Sequence, residues 1–343
     1  MKFRCQLEIV SLAALALVLL PGKLAAQAKQ SGDLFAIRVG YKWGYMNAAG
    51  RVVIPPCFDD VWAFHDGLAH VSYDTNHVYI NRAGRVVIGP ETSQLYDFAE
   101  DTVQLRVGNK WGYIDESGRT VISPKFDLAG SYFDGLARIL MNGLWGYIDH
   151  SGKAVIQPQF EAALNFSEGL AGVKVGNKWG FIDKSGKLTV SPQFDYELSF
   201  SEGLALFRVR GRWGAPDRWG FVDSRGRIVI EPRYDAASPF REGFAPVKVG
   251  NRWIYIDKSG QPAFKWVFDD AMPFSEGLAP VKLIDVWGFI DTSGKLVITP
   301  QYRNTWGFCG GLAQVRTGTG EWGDQFGYID RRGRYIWRSA PIH

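Results

Sequence analysis

The chain has 343 residues, with 39 Lys and Arg against 35 Asp and Glu and a formal net charge of +4. Apolar residues make up 46% of it and aromatic residues 14%, which excludes a disordered chain because this composition can build a core. Basic and acidic residues are interspersed without a basic stripe, so nucleic acid is not an expected partner.

Residues 1–28 have the pattern of a secretory signal peptide. Lys2 and Arg4 precede an apolar run over 9–20, and residues 26–28 offer a small-x-small cleavage site. The run is too short to span a bilayer as a stable helix. We therefore expect cleavage after Ala28, a secreted or periplasmic location, and no transmembrane segment in the mature chain. The remaining chain would carry a formal charge of +2.

Residues 29–337 form one array of nine related segments, and 338–343 form a short tail. Each segment is marked by the Trp of a Trp-Gly pair or its substitute, at intervals of 34 residues with two exceptions of 40 and 39. The markers are Trp43, His77, Trp111, Trp145, Trp179, Trp219, Trp253, Trp287 and Phe326. Nine copies at one period indicate structural units that bury their apolar faces against their neighbours.

The copy at 169–202 shows the local structure. It contains three short apolar stretches separated by turn sequences, the first of which is Gly176-Asn177-Lys178. The stretches are 170–175, 179–183 and 188–190. This pattern predicts an all-β protein of three-stranded meanders. The connection that follows carries Phe194 and Phe200, which we expect to pack under the meander as core residues.

Several copies share the motif Lys-Trp-Gly-aromatic-Ile-Asp, followed by a Ser-Gly-Lys turn. The motif is complete in 110–115 and 178–183 and nearly so in 287–291, and Ser-Glu-Gly-Leu-Ala blocks begin at Ser167, Ser201 and Ser275. The pattern resembles the WG-containing repeat, also called the KWG repeat, of bacterial proteins. The resemblance implies a repeat scaffold and supplies no catalytic residues.

The array could be open or closed. Nine units exceed the four to eight blades usual for a β-propeller, and 34 residues are few for four strands. Each terminal unit also has three strands of its own, so neither end needs a strand from the other. We therefore expect an open β-solenoid or superhelix, with a closed propeller-like ring as the alternative.

Two copies carry insertions at the same phase, just before the Trp-Gly strand. One insertion contains Trp213 and Asp217, and the other contains Trp322 and Asp324. Insertions at one phase project from one face, which in repeat proteins is often the binding face. Tolerated loop growth would give the same pattern. As a hypothesis, these four residues contact a sugar ring or a peptide.

Trp62 and Trp306 occupy one repeat position in two copies where the other copies have smaller residues. They are candidates for a paired aromatic contact with a ligand. Alternatively, they cover the apolar ends of an open array.

The remaining polar residues point to structure. A column of Asp residues precedes the Ser-Gly turns without a second acidic ligand in the same loop, which predicts turn capping and no calcium site. The column is Asp115, Asp149, Asp183, Asp223, Asp257, Asp291 and Asp330. A Glu column at Glu168, Glu202, Glu242 and Glu276 is interpreted in the same way, as solvated turn residues before Gly.

No motif for catalysis is found: the sequence has no nucleophile elbow, no phosphate-binding Gly loop and no Cys-x-x-Cys pair. The spacing of His65, His70 and His77 does not specify a metal site. We therefore predict a protein without enzymatic activity, cofactor or metal, which serves as a scaffold for a protein or cell-envelope partner. The alternative is an envelope glycan-binding or glycan-processing module.

Overall fold

The computed structural model describes residues 33–89, 99–211, 215–317 and 325–340, and this part of the chain forms nine antiparallel β-sheets. Each sheet corresponds to one copy of the repeat, and we call the sheets blades 1–9 in chain order. Three consecutive strands, called first, second and third, form the meander that the sequence predicts. A further strand, the leading strand, pairs with the first strand in seven of the blades.

The strand bounds follow the repeat. The first strands are Leu34–Val39, Leu68–Tyr73, Thr102–Val107, Leu136–Met141, Leu170–Val175, Leu204–Val209, Ala245–Val249, Leu278–Leu283 and Leu312–Thr317. The second strands are Lys42–Asn47, Asn76–Asn81, Lys110–Asp115, Leu144–Ile148, Lys178–Asp183, Arg218–Asp223, Arg252–Ile256, Val286–Asp291 and Gln325–Asp330. The third strands are Val52–Phe58, Val86–Ile88, Thr120–Phe126, Ala154–Phe160, Leu188–Phe194, Ile228–Tyr234, Leu296–Tyr302 and Tyr335–Arg338. The leading strands are Asp60–Val61, Leu128–Phe133, Ala162–Ala163, Tyr196–Ser201, Ala236–Ala237, Asp270–Ala271 and Asn304–Thr305.

The leading strand was missed by the sequence analysis because it lies in the connection between copies. It belongs to the blade that follows: Phe194 ends the third strand of blade 5, and Tyr196 already pairs with Arg208 of blade 6. One residue thus carries the chain from blade to blade. Phe194 and Phe200 are buried, which confirms that the connection contributes to the core.

The Asp column caps the turns between second and third strands, as predicted. In blade 5, one carboxylate oxygen of Asp183 accepts hydrogen bonds from the backbone N–H groups of Ser185 and Lys187 at 2.9 and 3.1 Å. The Ser185 hydroxyl donates to the same oxygen and is the main reason why the pKa of Asp183 is lowered. The same cause lowers the pKa of Asp115, Asp149, Asp257 and Asp291.

We expect acid to weaken the fold through these turns. A carboxylate whose pKa is lower in the folded state stabilises the protein above its unfolded pKa of about 4, and this contribution is lost as the pH falls through the folded value. Thermal melting should therefore be constant between about pH 7 and 5 and should shift to lower temperature below about pH 4. A melting temperature that does not change at acid pH would contradict this assignment. So would a variant with Asn in place of these five Asp residues whose melting temperature falls with acid as much as that of the wild-type protein.

Successive blades pack through aromatic pairs. The aromatic residue two positions after the Trp lies against the connection aromatic of the next blade, as Tyr147 does against Phe166 with ring centroids 4.8 Å apart. The Tyr147 hydroxyl also donates to the Leu164 carbonyl oxygen at 2.7 Å. Equivalent ring pairs are Tyr45–Phe64, Tyr113–Tyr132, Phe181–Phe200, Phe221–Phe240, Tyr255–Phe274 and Phe289–Phe308.

The blades close into a nine-bladed β-propeller. A core cluster lies between every pair of neighbouring blades, and one of them joins blade 9 to blade 1. There, Tyr328 packs against Phe35 with ring centroids 5.4 Å apart, and its hydroxyl donates to the Ala36 carbonyl oxygen at 3.0 Å. Phe326 lies 5.7 Å from Trp43 between ring centroids.

The expectation of an open solenoid was therefore wrong. The argument from terminal strands assumed that a closed ring requires a strand shared between its ends. This propeller closes through side chains instead: blade 1 keeps its own strands 34–39, 42–47 and 52–58, and blade 9 its own four. The same column of aromatic residues that joins neighbours elsewhere joins the two ends. The number of blades is set by the rotation between neighbours, which the sequence does not reveal.

The Gly of each Trp-Gly pair lies where the third strand crosses the second. A Cβ at Gly180 would lie 2.5 Å from the Val190 carbonyl oxygen, and equivalent collisions occur at Gly44, Gly112, Gly146, Gly220, Gly288 and Gly327. Two blades lack this Gly. In blade 2, where Val78 replaces it, the third strand has only three residues. In blade 7, where Ile254 replaces it, the described residues after the second strand form only isolated bridges, Ile256 with Pro262 and Trp253 with Phe268.

Candidate functional site

The ring has two faces that differ in their connections. One face, called the turn face, carries the two-residue turns between leading and first strands, such as Glu168-Gly169. The opposite face, called the hairpin face, carries the hairpins between first and second strands, such as Gly176-Asn177. Both faces repeat around the ring, so a functional site should be sought where one blade departs from the rest.

On the turn face, acidic side chains link successive blades. Glu168 accepts hydrogen bonds from the N–H groups of Glu202 and Gly203 in the next blade at 2.6 and 2.8 Å. The equivalent residues bond to the next turn in the same way, and we call this set the acidic belt. Its members are Asp66, Glu100, Asp134, Glu168, Glu202, Glu242 and Glu276. The Glu column lies in turns before Gly, as predicted, but each carboxylate also bonds to a neighbouring blade, which the sequence does not reveal.

The acidic belt explains an unusual backbone. Glu168 and Gly169 both have positive φ, 54° and 81°, as a type I′ turn requires, and Glu is a poor residue for that region. The carboxylate bonds to the next blade offset that strain. In a propeller, equivalent residues of neighbouring blades are closest to each other near the central axis. Because these turns contact the equivalent turns of the next blade directly, we place them around the axis.

The belt changes at the junction of blades 9 and 1. Gly310 occupies the acidic position of blade 9, and a Cβ there would lie 2.3 Å from a carboxylate oxygen of Asp33 in blade 1. Blade 1 thus supplies the acidic group that blade 9 lacks. Cys309 lies beside this junction, where partial burial and the charges of Asp33 and Glu276 raise the pKa of its thiol.

On the hairpin face, a second set of carboxylates positions the hairpins. Asp59, at the end of blade 1, pairs with Lys42 of the same blade at 2.6 Å and accepts from the Asp74 N–H of the blade 2 hairpin at 2.7 Å. The hydrogen bond from Lys42 lowers the pKa of Asp59. Asp269 likewise pairs with Arg252 and accepts from the Ile284 N–H at 2.8 Å. Each hairpin is thereby held to the blade before it.

Two of the described hairpin tips carry a large apolar side chain. The tips of blades 2 and 4 are polar, with Asp74-Thr75 and Asn142-Gly143. Blades 3, 5 and 7 have Gly-Asn at the tip, whereas blade 1 has Gly40-Tyr41 and blade 8 has Ile284-Asp285. Tyr41 is 78% exposed and Ile284 is 88% exposed. Ile284 also has a φ of 47°, which a β-branched residue rarely adopts. Because the ring is closed, blades 8 and 1 both flank blade 9, whose own hairpin carries the second insertion.

Most of the predicted insertion residues lie outside the described part of the chain. Trp213 falls within 212–214, and Trp322 and Asp324 fall within 318–324, so they remain predictions. Asp217 is described and has a local role. It accepts from the Gly211 N–H at 3.0 Å and pairs with Arg208 at 3.3 Å, which closes the base of its own loop.

Trp62 and Trp306 are half exposed, at 42% and 45%. Each lies just after the leading strand of its blade, and blade 1 separates the two blades, so they do not form one pair. Trp62 stacks on His70 with ring centroids 4.2 Å apart, and Arg316 lies 5.7 Å from the centre of the Trp306 ring. The closed ring has no ends for them to cover, so the end-covering alternative no longer applies.

The fold brings two of the three neighbouring histidines together. His70 Nε2 and His77 Nδ1 are 3.1 Å apart on adjacent strands, whereas His65 lies at the turn before the first strand. Cross-strand pairing, in which Ser72 lies opposite His77, could have predicted this contact. Within the described residues, no group of three or more His, Cys, Asp or Glu side chains converges as metal ligands would.

Comparison of the sequence with known families decides the assignment that the motif suggested. The profile of the WG containing repeat matches eight tandem segments: 43–74, 79–111, 111–145, 145–179, 179–213, 219–253, 255–283 and 287–322. The chain belongs to the WG-containing repeat family. No curated protein matches this WG-repeat chain. The described residues include no helix long and apolar enough to cross a membrane.

Similar solved structures are distant from this WG-repeat protein. A eukaryotic initiation factor matches with a TM-score of 0.47 and 14% identity over 90% of this chain and 84% of that chain. Hsv2 of Kluyvelomyces marxianus matches with a TM-score of 0.41 and 9% identity over 69% of this chain and 92% of that chain. The extracellular domain of a putative hybrid two-component system from B. thetaiotaomicron matches with a TM-score of 0.35 and 10% identity over 82% of this chain and 56% of that chain. Likenesses this weak carry no argument about function.

Proposed function

We propose that this WG-repeat propeller is a non-enzymatic binding scaffold that acts outside the cytoplasm and captures a protein or cell-envelope partner on its hairpin face. The observation that supports it best is the pair of exposed apolar tips, Tyr41 and Ile284, on either side of the blade 9 hairpin. We call these two residues, at the described hairpin tips of blades 1 and 8, the tip patch.

The tip patch has the chemistry of a binding surface. Aromatic and large aliphatic side chains that are exposed in the free protein gain most when a partner covers them. Ile284 also occupies a backbone position that Gly fills in blades 3, 5 and 7, which costs about 1 kcal/mol or more. A residue that is unfavourable for both solvation and backbone conformation is better explained by a contact with a partner than by the stability of the hairpin.

The location outside the cytoplasm rests on residues 1–28. Their basic start, short apolar run and small-x-small site are typical of an exported protein. The acidic belt and aromatic cores supply structural roles for the repeated polar and aromatic residues, which supports the proposal of a non-enzymatic scaffold.

The test replaces Tyr41 and Ile284 with the residues found at the same positions of the hairpins in blades 3, 5 and 7, which are Asn and Gly. Tyr41→Asn with Ile284→Gly should keep the fold and raise its stability by about 1 kcal/mol, because Gly relieves the positive φ of Ile284. Crosslinking in cell-envelope extract should then recover fewer partners with the variant than with the wild-type protein. Asn109→Ala with Asn251→Ala alters two other tips and is the matched control. Equal recovery with the tip-patch variant and the wild-type protein would sink the proposal.

The glycan-binding alternative predicts a different result. Binding to a glycan array that is lost in Trp213→Ala or Trp322→Ala, but kept in the tip-patch variant, would favour that alternative. Both insertions interrupt the connection between a first and a second strand, and the two proposals differ in the residues that make contact.

A further inference from the structure

The turn face holds a cavity of about 390 Å³ that spans three consecutive blades. Blade 5 contributes Ser167 and Glu168, blade 6 contributes 199–201, and blade 7 contributes Pro239 and Arg241. Its size suits a small organic molecule. The cavity lies on the face opposite the tip patch, so it is independent of the proposed partner binding.

Arg241 occupies a turn position that varies around the ring, where blades 2, 3, 4 and 9 carry His65, Ala99, Phe133 and Cys309. In blades 5, 6 and 8 the same turn position is Ser, whose hydroxyl donates to the carbonyl oxygen of the connection Phe in the next blade. Ser167 makes this bond to Phe200 at 2.8 Å and Ser201 makes it to Phe240 at 2.7 Å. In blade 7 this hydroxyl is absent, and the long cationic side chain of Arg241 lies at the cavity instead.

The Arg241 guanidinium is available. Among the described residues it forms no hydrogen bond or ion pair, even though Glu168 lines the same cavity. The Glu168 carboxylate is already bound by two N–H groups of blade 6. Glu202, in the neighbouring turn, is bound by the Gly243 N–H at 2.9 Å and by Lys258 at 3.3 Å. Glu168 and Arg241 therefore do not pair with each other, and Arg241 is the one cationic side chain among the described residues that line the cavity.

We propose that the cavity binds a small organic acid, with its carboxylate on Arg241 and its apolar body against Phe200 and Pro239. A guanidinium presents a planar fork of donors that matches the two oxygens of a carboxylate. The Ser199 hydroxyl lies in the same cavity and can donate a hydrogen bond to the ligand, whereas the Ser201 hydroxyl already donates to the Phe240 carbonyl oxygen. The acid is thus recognised by one charge and one apolar surface.

Benzoate is a suitable probe because it combines a carboxylate with an apolar ring, and benzamide is its neutral counterpart. Saturation-transfer NMR on the full chain should detect benzoate and not benzamide. Arg241→Ser and Arg241→Gln should each weaken benzoate binding by roughly tenfold or more, because hydrogen bonds to charged groups are worth about 1.5–3 kcal/mol. Ser is what blades 5, 6 and 8 carry here, so Arg241→Ser is expected to fold.

The matched control is Arg225→Ser, which removes another exposed Arg from the turn face, in the turn between second and third strands of blade 6. Unchanged benzoate binding in Arg225→Ser, together with the loss in both Arg241 variants, supports the site. Equal binding of benzoate to the wild-type protein and to folded Arg241→Ser or Arg241→Gln overturns it. Equal binding of benzamide and benzoate overturns it as well.

Discussion

Replacing Tyr328 with alanine is expected to open the ring between blades 9 and 1. Tyr328 is buried, packs on Phe35 and bonds to the Ala36 carbonyl oxygen across the junction. Removing a large buried aromatic side chain costs about 3–5 kcal/mol. Since no peptide bond joins these two blades, the lost packing can be relieved by separation, and hydrogen exchange should speed up selectively in 34–58 and 312–338.

Tyr147→Ala is the matched control for this prediction. Tyr147 is also buried and makes the same two kinds of contact, with Phe166 and the Leu164 carbonyl oxygen. Blades 4 and 5 are joined by a single residue, Glu161, which keeps them together when the core between them is weakened. Both variants should lose stability, but only Tyr328→Ala should enlarge the particle in small-angle scattering. An unchanged radius of gyration and unchanged exchange in blades 1 and 9 would show that the junction does not depend on Tyr328.

Gly180→Val is expected to be the next most damaging change. A Cβ at this position would lie 2.5 Å from the Val190 carbonyl oxygen and 2.8 Å from the Pro192 nitrogen, so the third strand of blade 5 must move. Forcing extra atoms into a packed site costs about 1–3 kcal/mol, and the upper end applies here because the obstacle is backbone. Blade 7 is consistent with this expectation, since Ile254 replaces the Gly there and the described residues after its second strand form only isolated bridges.

The measurement is the denaturant midpoint, with exchange at 188–194 as the local readout. Gly89→Val is the control, because a Cβ at Gly89 meets no atom of the described residues within 4 Å. If Gly180→Val melted like the wild-type protein, the close crossing of second and third strands would not be a requirement of the repeat.

Much of the local structure followed from the sequence because it depends on neighbouring residues. The alternation of 170–175, the turn residues and the capping Asp183 predicted strands, turns and a capped loop, and the structure confirms them. The expectation that Phe194 and Phe200 are core residues was also correct. The sequence did not reveal the contacts between blades, because these contacts join residues that are far apart in the chain. The bonds of the Glu column were missed because their partners are 34 to 41 residues away in the chain.

The candidate sites show the same division. The insertions around Trp213 and Trp322 were visible in the sequence, because they break the period. Tyr41 and Ile284 did not stand out, since a single substituted tip looks trivial until ring closure brings blades 8, 9 and 1 side by side. Arg241 is equally inconspicuous in the sequence, and only the cavity shared by blades 5, 6 and 7 makes it notable.

The sequence by itself determined the repeat, its β-strands and turns, and the family, because each of these is written within about 34 residues. Only the tertiary structure decided that nine blades close into a ring. Closure depends on the small rotation between neighbouring blades, which accumulates over the whole chain and is set by side-chain packing between sheets. The sequence of one repeat does not reveal this rotation angle. The angle nevertheless determines which residues that are distant in the chain come into contact.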